Sequence, residues 1–181
     1  MRAFVALDLP EAIRGPLTRL QAGLSVGRLV DEDNLHLTLA FLGEINPQQA
    51  QDLAVRLADL PDAPIDLTLT GIDIMGGRKP NLLFMDAAPT QALVNLQDRV
   101  RRIAMDAGLE MERRRFRPHV TLARFGKVMT PKDERGLAAF LSLNAPYSLP
   151  TEVADTVTLY RSHLTGEGAD YEPLAEFLLT G

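Results

Sequence analysis

Two nine-residue segments of this chain share one pattern: LHLTLAFLG at residues 35–43 and PHVTLARFG at residues 118–126. Histidine, threonine, leucine, alanine and glycine occupy equivalent positions in both, and the two histidines lie 83 residues apart. Because alternate residues of a strand face the same side, each segment predicts a strand with one imidazole and one hydroxyl on a common face. The repeat therefore predicts a duplicated building block whose equivalent strands face each other about a pseudo-twofold axis.

The patterns around these segments predict strands alternating with helices. Strands are expected at 2–8, 35–42, 65–74, 82–85, 118–125 and 153–160, with a short strand or extended segment at the end of the chain. Helices are expected from 10 to about 24, from 47 to 60, from 93 to about 108 and from 131 to 141. This order predicts an α+β (mixed α/β) architecture, with helices outside and polar strand faces lining a groove between the halves.

Composition narrows the class of protein. The chain has 181 residues, 46% of them hydrophobic, which is enough for one compact unit over 1–181 with approximate halves at 1–76 and 80–181. It contains no cysteine, so disulfides and thiolate metal sites are excluded and a cytoplasmic location is expected. No segment approaches the roughly 20 apolar residues that cross a bilayer, and the run Ala3 to Leu7 is too short for a signal peptide.

Charge is distributed unevenly. The formal net charge of −5 argues against a protein that coats nucleic acid non-specifically. Arginines nevertheless concentrate around the second motif, and they fit either a local anion site or a solvated helix face followed by a polar turn. These residues are Arg99, Arg101, Arg102, Arg113, Arg114, Arg115 and Arg117.

The paired motifs suit phosphodiester chemistry. In-line hydrolysis needs a base that deprotonates the attacking water and an acid that protonates the leaving oxygen on the opposite side. Imidazole fits both roles because its pKa lies near neutrality, and His36 and His119 would supply one group on each wall. The hydroxyls of Thr38 and Thr121 can donate to non-bridging phosphate oxygens, and this chemistry requires no metal.

A single His-x-Thr segment is also typical of an ordinary polar strand face. Recurrence favours catalysis, because two of the three histidines fall at equivalent places in a duplicated block. The third, His163, precedes Gly166 and Gly168 and is interpreted as a loop residue.

At these residues the chain resembles the 2H phosphoesterase superfamily, specifically its RNA 2′,3′-cyclic phosphodiesterase branch, historically called 2′-5′ RNA ligases. The similarity spans the chain. Besides the two motifs it includes RAFVAL at 2–7 followed by Leu9-Pro10, and LYRSHL at 159–164 through Gly168 and Tyr171.

The resemblance implies a bilobal, pseudo-twofold fold with two antiparallel-rich sheets, and hydrolysis of a terminal RNA 2′,3′-cyclic phosphate to a 2′-phosphomonoester. It implies that His36 donates a proton and His119 accepts one, although the near symmetry of the motifs leaves this division open. Thr38 and Thr121 would hold the phosphate. No cofactor and no metal are implied, the partner is RNA with a cyclic phosphate end or a small cyclic nucleotide, and a monomer is expected.

Phe41 and Arg124 occupy equivalent positions in the two motifs. A phenyl ring can stack on a base and a guanidinium can bind phosphate, so both are predicted substrate-binding residues. Strict alternation, however, turns both side chains away from the histidines, and a core role for Phe41 is an equal alternative.

Other functions remain open at this point. The same histidines support the reverse reaction, ATP-independent 2′-5′ ligation of RNA, or hydrolysis of another small cyclic phosphate. A non-catalytic RNA-binding module is disfavoured because both motifs are intact. A metallohydrolase is disfavoured because no His/Asp/Glu cluster accompanies either histidine at ligand spacing.

Overall fold

The computed structural model describes residues 1–112, 115–126, 128–166 and 168–181. Within these ranges the chain forms ten strands and four α-helices. The strands are β1 (Arg2–Asp8), β2 (Arg28–Leu29), β3 (His36–Glu44), β4 (Ile65–Leu67), β5 (Leu69–Met75), β6 (Leu82–Ala87), β7 (His119–Arg124), β8 (Glu152–Ala154), β9 (Thr156–Thr165) and β10 (Gly168–Leu178). The helices are α1 (Glu11–Gln21), α2 (Pro47–Leu57), α3 (Gln91–Asp106) and α4 (Pro131–Asn144).

The helices that follow the two motif strands begin in the same way. Asn46 and Thr130 each accept a hydrogen bond from the backbone three residues on, and that residue's side chain accepts one from the backbone N–H of the cap. Proline follows directly, at Pro47 and Pro131, where its fixed φ suits a first helical turn. The duplication thus extends beyond the motifs into local capping chemistry.

Eight strands form one sheet in the order β10-β9-β1-β3-β7-β6-β5, with β2 added beside β7, and every neighbouring pair is antiparallel. The α+β class is confirmed. The two predicted sheets form one continuous sheet, because the motif strands β3 and β7 are neighbours and Leu37 lies opposite Val120. Strands from the two halves of the sequence are mixed in this sheet. β5 from the first half pairs with β6 from the second, and β9 from the second half pairs with β1 from the first and with β10.

The helices cover one face of this sheet. Leu37 and Val120 are fully buried on that face, where α3 packs against β3 and α1 packs against β7. Each helix therefore supports the motif strand of the other half. The opposite face of β3 and β7 stays open, as predicted for a groove lined by polar strand faces.

Three details of the predicted elements were wrong. The expected strands at 65–74 and 153–160 are each interrupted, at Thr68 and Asp155, because β4 and β8 leave the main sheet and pair with each other. The end of the chain is an 11-residue strand, not a short segment. His163 lies within β9, not in a loop, because β9 and β10 form a long hairpin that continues past it.

Within the described ranges, the structure has no helix that is both long enough and apolar enough to span a membrane.

Candidate active site

Four predicted site residues lie on the open face of the central strand pair. His36, Thr38, His119 and Thr121 are all half-buried, while the residues between them are buried on the helical side. Because Leu37 and Val120 are directly opposite each other, the four side chains flank one point of the sheet. The structure therefore brings the two motifs together.

Both imidazoles are held in the same manner. Nδ1 of His36 lies 2.7 Å from the carbonyl oxygen of Asn34, and Nδ1 of His119 lies 2.7 Å from the carbonyl oxygen of Arg117. In each case the acceptor is two residues earlier in the chain. A carbonyl only accepts, so Nδ1 carries a proton in both rings and Nε2 is the nitrogen left to face a ligand.

The Nε2 atoms differ in their contacts. Nε2 of His36 lies 3.0 Å from the hydroxyl oxygen of Thr38, which donates to it when the ring is neutral. Among the described residues, Nε2 of His119 and the hydroxyl of Thr121 have no hydrogen-bond partner. The second half of the site thus presents two polar groups that are available to a ligand.

A bulge in each motif strand places the next predicted residue in the site. The pairing of β1 with β3 skips Leu39, and the pairing of β6 with β7 skips the equivalent Leu122. Two consecutive residues are consequently buried in each strand, and Phe41 and Arg124 return to the face of the histidines. The expectation from strict alternation was wrong for both, and Phe41 is 69% exposed, which excludes a core role.

Two buried glutamines that the sequence reasoning missed hold these bulges. Nε2 of Gln21, on α1, donates to the carbonyl oxygens of Leu122 and Val30, both at 2.8 Å. Nε2 of Gln97, on α3, donates to the carbonyl oxygen of Leu39 at 3.3 Å. Polar residues on the apolar stripe of each helix were the available signal, because a buried amide needs partners.

Aromatic rings surround His36. Its ring centroid lies 4.8 Å from that of Phe4, 5.2 Å from that of Tyr171 in an edge-on arrangement, and 6.4 Å from that of Tyr160. Asp8 lies opposite His36 on β1, and its carboxylate accepts hydrogen bonds from Tyr160 at 2.9 Å and Thr158 at 2.7 Å. Burial raises the pKa of Asp8, so this wall is a low-polarity environment.

Charged groups surround His119. Arg117 forms a two-pronged ion pair with Asp86, with both N···O distances at 3.1 Å, and contacts Asp73 at 3.3 Å. Its guanidinium carbon lies 4.5 Å above the ring of Phe84, which also makes an edge-on contact with His119. Asp86 is the structural equivalent of Asp8, because each lies opposite the histidine of its own half.

His36 is neutral at physiological pH in this structure. Burial lowers its pKa to about 4, and electrostatic interactions with Arg124 and His119 act in the same direction, against the hydrogen bond to Asn34. Arg124 lines one groove together with Asn34 and Tyr171, both of which contact His36. An anionic ligand between these groups would offset the charge of Arg124 and raise the pKa of His36.

The arginine cluster of the second motif does not form one anion site in the described part of the chain. Arg99 pairs with Asp62 at 2.9 Å, and Arg117 pairs with Asp86 and Asp73. Arg113 and Arg114 lie outside the described residues. Within those ranges, no group of three or more His, Cys, Asp or Glu side chains is placed to hold a metal ion.

Comparison with known proteins relates this site to a family. The LigT like phosphoesterase family matches the chain twice, at residues 7–85 and 83–169, once for each motif. Two relatives called RNA 2′,3′-cyclic phosphodiesterase are similar over nearly their whole length. That of Escherichia coli K12 is 31% identical over 99% of this chain and 97% of its own, and that of Bacillus subtilis 168 is 27% identical over 98% and 96%. The protein of the same name from Geobacillus stearothermophilus is 28% identical to this chain. The alignment covers 98% of this chain but 57% of that relative.

Solved structures show the same fold. A Thermus thermophilus protein has a TM-score of 0.81 at 28% identity, covering 100% of this chain and 99% of that one. Escherichia coli LigT complexed with 3′-AMP has a TM-score of 0.76 at 29% identity, covering 99% and 98%. The predicted relationship is confirmed. Because the family matches both halves, each with its own histidine motif, this protein is a member of the LigT-like phosphoesterase family.

Proposed function

We propose that this protein hydrolyses the 2′,3′-cyclic phosphate end of RNA to a 2′-phosphomonoester, without a metal ion. The observation that carries the proposal is the matched mounting of His36 and His119, each with Nδ1 bonded to the carbonyl two residues earlier. Such mounting leaves two Nε2 atoms on one face of adjacent strands, which is the arrangement a paired acid and base require. The activity named for the relatives from Escherichia coli and Bacillus subtilis supports the same reaction.

The reaction follows from the two nitrogens. One neutral Nε2 takes a proton from water as the water oxygen attacks phosphorus. The bond from phosphorus to the 3′ oxygen breaks on the opposite side, and the other, protonated Nε2 gives its proton to that oxygen. The product is a 2′-phosphomonoester with a free 3′ hydroxyl, and the protons exchange between the histidines and solvent before the next turnover.

His36 is proposed as the donor and His119 as the acceptor. Since the pKa of His36 is about 4 in the unliganded protein, this division requires bound phosphate to raise that pKa. The opposite division, with His36 as acceptor and His119 as donor, needs no such rise, because His36 is already neutral in the unliganded protein.

The other predicted residues are proposed to bind the substrate. Thr38 and Thr121 donate to non-bridging oxygens, where they stabilise charge that develops in the transition state. Arg124 binds the phosphate, as its electrostatic effect on His36 supports. The exposed ring of Phe41 lies 6.5 Å from that of Phe4, centroid to centroid, and is proposed to stack on the terminal base.

Ligation of RNA through a 2′-5′ bond is the second proposed activity: the 5′ hydroxyl of another RNA replaces water, its oxygen bonds to the cyclic phosphorus, and the 3′ oxygen leaves with a proton from the same pair of nitrogens. A cytoplasmic location and a monomeric state stay predictions.

The test is turnover of a short RNA that ends in a 2′,3′-cyclic phosphate, in excess EDTA, with the product phosphate assigned by NMR. We expect wild type to yield the 2′-phosphate, and His36→Ala and His119→Ala to lose about 10²- to 10⁴-fold in kcat. His163→Ala is the matched control and retains activity, because His163 is bonded to Glu172 on the β9–β10 hairpin. Loss of turnover in EDTA, or turnover that survives both substitutions, contradicts the proposal.

A further inference from the structure

A groove of about 590 Å³ lies next to His36. Asn34, whose carbonyl holds His36, and Tyr171, whose ring contacts His36, both line it. Arg28 and Arg124 line it as well. A substrate bound at the histidines therefore has space to continue into this groove.

Arg28 is fixed beside Arg124 by the backbone. The two arginines are direct partners in the β2–β7 pair, and the N–H of Val30 donates to the carbonyl oxygen of Leu122 at 2.9 Å. Gly27 makes the approach possible, because a Cβ there would lie 2.6 Å from the ring of Phe125. The position of Arg28 is thus a consequence of the same contacts that shape the bulge of β7.

The two arginines occupy directly paired positions of neighbouring strands. Like charges at such positions repel, so phosphate groups that neutralise each of them would stabilise this arrangement. In the described part of the chain, neither Arg28 nor Arg124 has a carboxylate within ion-pair distance. The guanidinium of Arg28 lies against the Cα of Gly168, where a Cβ would come within 3.3 Å of it.

The remaining polar groups of the groove suit a nucleotide. Asp31 and Asp170 also line it, and their carboxylates repel phosphate but accept hydrogen bonds from base amino groups. Phosphate groups are therefore expected to bind at the arginines, and base amino groups at these carboxylates. The ring of Tyr171 adds a surface for stacking next to the catalytic histidine.

We infer that Arg28 binds the phosphodiester immediately upstream of the cyclic phosphate, so that the preferred substrate is an oligonucleotide and not a mononucleotide. This inference rests on the proposed function. Arg124 binds the terminal phosphate and Arg28, its partner on the neighbouring strand, binds the next one along the chain. A mononucleotide has no such upstream phosphodiester and cannot use Arg28.

The experiment compares kcat/KM for adenosine 2′,3′-cyclic phosphate and for the adenylyl dinucleotide with the same cyclic end. Arg28→Gln should lower kcat/KM for the dinucleotide by about tenfold and leave the mononucleotide within twofold, which also shows that the variant is folded. Arg28→Lys should fall between, because it keeps the charge without the planar fork. The matched control Arg56→Gln, an exposed arginine on α2, should change neither value.

Salt dependence gives an independent readout. For the dinucleotide, the slope of log kcat/KM against log salt concentration should become shallower by ~0.7 in Arg28→Gln, because one phosphate contact is lost. Equal losses on both substrates, or no loss on the dinucleotide, would overturn the inference while leaving the proposed function intact. If wild type hydrolyses neither substrate, the proposed function fails and the inference fails with it.

Discussion

The His36 half and the His119 half of the site have the same backbone and different surroundings. Each histidine is bonded through Nδ1 to the carbonyl two residues earlier, and each faces an aspartate on the neighbouring strand. Around His36 that aspartate is held by two hydroxyls among aromatic rings, whereas around His119 it is paired with Arg117.

On the proposed mechanism, this difference in surroundings would distinguish the two histidines of a duplicated scaffold. Two identical imidazoles in identical environments would have the same proton affinity, so any difference in proton affinity comes from their surroundings. The aromatic wall and the nearby positive charges lower the pKa of His36, while the wall around His119 carries exposed charges. The shared backbone therefore orients the two imidazoles in the same way, whereas the side chains around each histidine give it a different environment.

The largest effect that would test the comparison of the two halves is expected on removal of the hydroxyl of Thr38 or Thr121. Thr121→Val and Thr38→Val should each lower kcat about 10²-fold, because each removes a donor to the charge that develops on phosphate. Steady-state kinetics on a cyclic-phosphate RNA checks this. Thr→Ser at either position is the control and should stay within a few-fold of wild type, and Val variants with wild-type kcat would show that the hydroxyls do not contact phosphate.

An intermediate effect concerns the glutamines under the bulges. Gln21→Met should lower the free energy of unfolding by about 1–3 kcal/mol, because it removes two bonds to buried carbonyls, and Gln97→Met should lower it by about 1 kcal/mol, because it removes one longer bond. Urea unfolding gives both values. Gln51→Met, at an exposed position of α2, is the matched control, and buried variants as stable as it would mean that the bulges do not depend on these amides.

The smallest effect at neutral pH concerns the protonation of His36. Its pKa of about 4 lies below the ordinary value of 6.5, so the unfolded chain binds more protons between these values. The free energy of unfolding should therefore be insensitive to His36 above about pH 6.5 and fall as the pH decreases towards 4. His36→Gln should remove this part of the pH dependence.

The same titration assigns the catalytic roles. Histidine NMR should give a pKa near 4 for His36 in the free protein and a higher value when inorganic phosphate or the 2′-phosphate product is bound. A pKa that stays near 4 in the product complex would contradict the donor role of His36 and assign that role to His119.

The repeat in the sequence contained much of the site. His36, Thr38, His119 and Thr121 were predicted from spacing alone, because a period of two is a local property of a strand and needs no knowledge of distant residues. The capping segments at Pro47 and Pro131 are local in the same sense, so the starts of α2 and α4 followed from the sequence.

The orientation of Phe41 and Arg124 depended on contacts between distant parts of the chain. A bulge forms where two strands pair out of step, and the amide that holds the bulge at Leu122 comes from Gln21, 101 residues away. The position of Arg28 beside Arg124 has the same origin. Local periodicity carries no information about such pairings, so the sequence identified the groups proposed to react, whereas the packing of helix against strand placed the residues proposed to bind substrate around them.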